Sequence, residues 1–108
     1  MLYGPPMLEI KKIEVAVALR EMMFHFQDGR TEKVVLKVGM PYEYGDGLDW
    51  CCPYELSTES SRKLFGMFGV DALQALELTI KTLNVEVEYW EKSKKGKFYF
   101  LGEEGAGI

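Results

Sequence analysis

Two adjacent cysteines, Cys51 and Cys52, and a single histidine, His25, are the side chains of this sequence suited to nucleophilic or proton-transfer chemistry. A cysteine nucleophile works as its thiolate and needs a base or a cation close by. In the run from Asp49 to Leu56, Cys51 alternates in step with the carboxylates Asp49 and Glu55, which disfavour a thiolate. Cys52 alternates in step with Trp50, Tyr54 and Leu56, where a cysteine behaves as a small buried hydrophobe. His25 sits on a separate hairpin, and nothing in the spacing brings it to either thiol. Adjacent Cα atoms about 3.8 Å apart are closer than ordinary disulfide geometry allows, so reduced thiols and a cytoplasmic location are expected.

Metal binding is not expected either. Neighbouring cysteines on a strand point to opposite faces, and one histidine leaves a tetrahedral set incomplete. Gly66 and Gly69 lack a phosphate-cradling fingerprint, so no cofactor is expected. The catalytic set is empty. A cysteine-dependent enzyme, or a small-ligand site between helix and sheet at Trp50, Cys52 and Asp71, stands as the alternative reading.

Charge is the less ordinary feature. Between Lys37 and Arg62 there is no basic residue, but there are Glu43, Asp46, Asp49, Glu55 and Glu59 among Tyr42, Tyr44, Trp50 and Tyr54. Aromatic anchors with a carboxylate rim suit a basic protein partner. The expected partner-binding set is Tyr42, Glu43, Tyr44, Asp46, Asp49, Glu55 and Glu59. A small acidic inhibitor, such as the immunity protein of a basic bacterial toxin, fits that pattern. A solvated acidic loop over core aromatics is the plainer reading, and a structural homodimer is a further one. Lys92, Lys94, Lys95 and Lys97 read as a solvated basic loop, with anion contact as the alternative.

At 108 residues the chain suits one domain with a modest core. Its 13 basic and 17 acidic residues give a net charge of -4, which argues against nucleic acid or anionic lipid as a partner. No apolar run approaches the roughly 20 residues of a membrane span, and the start lacks the pattern of a secretory signal.

Elements follow from periodicity. From Gly69 to Leu83, the residues Ala72, Leu73, Leu76, Ile80 and Leu83 recur at helical steps. Asp71 is a natural N-cap, Gln74 can close a capping box, and Glu77 with Lys81 adds an i,i+4 pair. Strands are expected from Ile13 to Phe26, Lys33 to Val38, Asp49 to Leu56, Lys63 to Val70 and Lys97 to Leu101, with Met40 to Leu48 a loop.

A two-residue turn at Asp28 and Gly29 would set Met23 against Val34 and Leu19 against Val38, putting the odd residues of the first strand inward. Pro53 points to an edge strand or a bulge. Residues 85–90 fit either a strand or a helix prolonged to about Trp90, with the helix slightly favoured. The fold class is therefore α+β: a mostly antiparallel sheet of four to five strands with one long C-terminal helix packed on one face. Residues 1–108 form one domain, structured from about 8 to 102, with frayed ends at 1–6 and 103–108.

Two segments carry a resemblance. Asp49-Trp50-Cys51-Cys52-Pro53-Tyr54 is similar to the Asp-Trp-x-Cys-Pro of a family of small bacterial proteins catalogued as a domain of unknown function. Gly69-Val70-Asp71-Ala72-Leu73-Gln74-Ala75-Leu76 resembles that family's helix opening. The resemblance extends from about Ile13 to Gly102 and implies fold and boundaries but no chemistry. The long first strand and the double cysteine depart from the pattern.

Overall fold

The turn at Gln27 to Arg30 sets the frame of the sheet. In a computed structural model, which describes residues 9–45 and 49–108, Phe26 N donates to Arg30 O at 2.8 Å and Gly29 N donates to Phe26 O at 3.1 Å. Gly29 has φ +94°, so this is a three-residue loop whose last residue is left-handed. One residue more than the expected turn moves the register by one, and in a strand that exchanges the two faces. Met22 pairs with Val34 and Met23 with Lys33. The even residues Met22 and Phe24 are buried, whereas Val15, Val17, Leu19 and Met23 are exposed. The inward odd set expected from the sequence is thereby corrected.

Among the described residues seven strands form one antiparallel sheet, more than the four to five expected. They are β1 (Ala16–Phe26), β2 (Thr31–Gly39), β3 (Tyr42–Tyr44), β4 (Asp49–Ser57), β5 (Arg62–Gly69), β6 (Gly96–Phe100) and β7 (Glu103–Glu104), with the helix α1 (Ala72–Lys94) between β5 and β6. The path runs β3-β4-β2-β1-β6-β7, and β5 pairs with the other side of β4.

The extra strands come from two places that read as irregular. Part of the expected loop is β3, paired through Tyr42↔Cys51 and Tyr44↔Asp49. The expected frayed end at 103–108 is folded instead: β7 pairs with β6, and Ala106 is buried. The expected fraying of 1–6 lies outside the described residues.

β4 is not an edge, because β2 and β3 pair along one side of it and β5 along the other. On the first side Pro53 falls between the two partners, after Val38↔Tyr54 and before Tyr42↔Cys51. A missing ladder donor costs little where the partner strand changes.

The helix begins at the expected cap, but Gln74 reaches back to the amide before Asp71 and not to that of Asp71 itself. Asp71 caps it by accepting from Gln74 N at 2.8 Å, and Gln74 Oε1 accepts from Val70 N at 2.7 Å. Its buried stripe is Ala75, Thr79, Leu83, Val87 and Trp90. Leu73, expected on that face, is 73% exposed, and Ile80 is exposed too. Val87 and Trp90 extend the stripe at helical spacing, so 85–90 is helix and the strand-like Val85 and Tyr89 face outward. The chain leaves the helix at Lys95, left-handed at φ 56°. Gly96 follows because a Cβ there would run into His25 O and the ring of Phe24.

The core lies between α1 and one face of the sheet, built from Phe24, Val34, Leu36, Tyr54, Leu56, Trp90 and Phe98. Residues 9–15 cross part of the other face as a strap. Glu9 N and Lys11 N donate to the hydroxyls of Tyr44 and Tyr42 at 3.2 Å and 2.9 Å. Ile10 packs over Gly66, where an added Cβ would meet its Cδ1 at 2.8 Å.

Candidate functional site

β3 and the start of β4 form a hairpin that carries the acidic segment. Glu43 and Asp49 are exposed on its two strands, and Tyr42 and Tyr44 are half-buried with their hydroxyls holding the strap. Tyr44 meets Phe68 edge-on at 4.9 Å, which fixes its ring. Asp46 lies outside the described residues. The fold brings Tyr42, Tyr44 and Asp49 together on the strap face, whereas Glu43, paired with Trp50, points to the other face of the sheet.

Glu55 and Glu59 are placed apart from them. Glu55 is 5% exposed, and its Oε2 stands 3.4 Å from Arg62 Nε. Glu59 lies in the turn after β4, separated from Asp49 by roughly 26 Å of strand at about 3.3 Å per residue. Proximity in sequence misjudged this pair because a strand carries its two ends away from each other.

The cysteines sit back to back. Cys52 is under the helix with Sγ 3.6 Å from Gly39 O, and Thr79 Oγ1 donates to Cys52 O at 3.3 Å. Cys51 is on the strap side, close against Gly66 and beside the Tyr42 hydroxyl. Burial pushes both thiols above their ordinary range. His25 is stacked on Tyr99 at 4.1 Å, on β1, away from both. Trp50 is half-buried, Cys52 is fully enclosed, and the Asp71 carboxylate is engaged by Gln74 N, so no thiol of the expected ligand site meets solvent. Among the described residues no group of three His, Cys, Asp or Glu could hold a metal ion. No helix among them is long and apolar enough to cross a membrane.

Space opens elsewhere between helix and sheet. A groove of about 270 Å³ runs between α1 and the first half of β1, lined by Ala18, Arg20, Leu36, Val38, Ile80 and Leu83. Sequence reasoning missed it. The available signal was the change of apolar parity along the first strand, which marks where that strand passes beyond the cover of the helix.

Residues 18–108 are matched by the family described as Domain of unknown function (DUF6968). No curated protein and no solved structure matches the chain.

Proposed function

We propose a role for this chain, which belongs to the DUF6968 family: a small non-enzymatic protein-binding domain that engages a basic partner through the β3–β4 hairpin. The observation that carries the reading is the exposed Asp49 carboxylate on the same face as two rings held in place by their own hydroxyl bonds, with the exposed Glu43 on the other face of the same short edge strand. Rings whose rotamers are already fixed lose little entropy on docking, and surface carboxylates steer a cationic surface toward them. The enclosed, protonated thiols supply no nucleophile. An immunity or inhibitor protein for a basic bacterial toxin is one role of this kind, and a toxin gene beside this one would narrow the partner to that class.

The test uses the full chain and its E43K/D49K variant as baits in a lysate of the encoding organism. The expected partner is basic, binds more weakly as salt rises, and loses at least about tenfold in affinity, about 1.4 kcal/mol, to the variant. A partner held equally by both baits would overturn the assignment of this hairpin.

A further inference from the structure

Among the described residues, the first half of β1 has a strand on one side only. β2 pairs along nearly its whole length, but β6 reaches only Met23 to Phe26. Phe26 N bonds toward β2, at Arg30 O, and Gln27 N bonds the other way, at Lys95 O. Backbone groups of an antiparallel strand alternate sides, so Leu19 and Glu21 turn both N–H and C=O toward the open side. Leu19 is 58% exposed, and between Ala18 and Met22 the edge carries no proline, its two charges being Arg20, bonded to Ala106 O and Gly107 O, and Glu21, whose Oε1 stands 3.6 Å from Lys33 Nζ. The register shift at Val17 ends the regular ladder. The apolar groove opens beneath the same residues, with Gly107 and Ile108 along its rim and Arg20 as the one charged side chain among the described residues that line it.

We propose that this edge and groove form a second docking site, taking an extended segment of another protein as an added antiparallel strand. Main-chain bonds to Leu19 and Glu21 would supply the affinity, and alternate side chains entering the groove would supply the selectivity. The residue opposite Ala18 turns a large apolar side chain into the space beside Leu36, Val38, Ile80 and Leu83. The residue opposite Arg20 meets a guanidinium already fixed: Nη1 donates to Ala106 O at 3.0 Å and Gly107 O at 2.8 Å, and the group lies 4.1 Å over Phe100. Five donors on that group leave capacity for a carboxylate.

In an antiparallel partner the residue facing Arg20 comes first, so the segment reads acidic-x-apolar. A second copy does not fit. β1 paired with itself about Leu19 would set Arg20 opposite Ala18 and bring no large apolar side chain to the groove, and paired about Arg20 it would set the two guanidiniums face to face and offer only Met22, which is already buried in its own core.

Fluorescence anisotropy with the labelled peptide Thr-Val-Glu-Thr-Leu-Val-Thr tests this, alongside its reversed sequence and a copy N-methylated on alternate amides. The forward peptide is expected to bind at least about tenfold more tightly than either control. It should slow hydrogen exchange at Leu19 and Glu21, and A18W, which fills the groove, should lose it. R20Q should bind the Glu peptide and its Gln analogue alike, with the folded state checked by circular dichroism. E43K/D49K should bind as the unaltered chain does, which separates this site from the β3–β4 hairpin. No binding at millimolar peptide, equal binding of the N-methylated copy, or concentration-dependent dimerisation that protects Leu19 and Glu21 would each overturn it.

Discussion

Tyr42 shows how one side chain serves two layers of the molecule. Its hydroxyl accepts from Lys11 N, and burial pushes its pKa up to about 12 from an ordinary 10. A group whose folded pKa exceeds its unfolded one contributes in full below the unfolded value and loses that contribution as pH climbs to the folded one. Stability is therefore expected to fall between pH 10 and about 12. Y42F removes this share and leaves that of Tyr54, whose hydroxyl is also raised by burial and by Glu86. The variant should be weaker at pH 7 by about 1 kcal/mol for the lost hydrogen bond, yet show a shallower decline in urea midpoint from pH 9 to 12. An unchanged decline would remove Tyr42 from that account. Glu55 teaches the complementary lesson. Its place in the alternation was legible, but its burial depends on which elements cover that face.

At the scale of elements, the capped helix start was legible because Asp71 and Gln74 act within one turn. The buried face was not. Ala72, Leu73, Leu76, Ile80 and Leu83 form one plausible stripe and Ala75, Thr79, Leu83 and Val87 the next, their centres about 50° apart at 100° per residue. The sheet chooses between them, and it accepts Thr79 because the hydroxyl satisfies Cys52 O.

D71A is accordingly expected to lower unfolding free energy by about 1 kcal/mol. L73A, on the exposed flank, should change it by less than about 0.5 kcal/mol. Chemical denaturation of both variants checks the pair, and a larger loss in L73A would restore the other stripe. The first hairpin carries a similar lesson, since one added turn residue exchanged every inward side chain of β1.

The whole molecule has two layers of unequal extent over one sheet. The helix covers one face, and the strap from Glu9 to Val15 covers only part of the other, so the two cysteines are enclosed by different elements. In the intact chain neither thiol is expected to react with iodoacetamide at neutral pH, since burial raises both pKa values and lowers the thiolate fraction. I10A, which thins the strap over Gly66, should speed alkylation of Cys51 and leave Cys52 slow, as read by mass spectrometry of peptides. Equal acceleration of both would mean that the layers open together.

By itself the sequence determined the α+β class, the helix with its cap and five of the strand segments, because all of these rest on contacts and periodicities a few residues long. The tertiary structure alone decided the parity of β1, the central position of β4, the burial of Glu55 and the open edge at Leu19. Each of those depends on what lies across a strand or over a face, and that is fixed by segments far along the chain, Ile10 over Gly66 and Ala106 beside Arg20 among them.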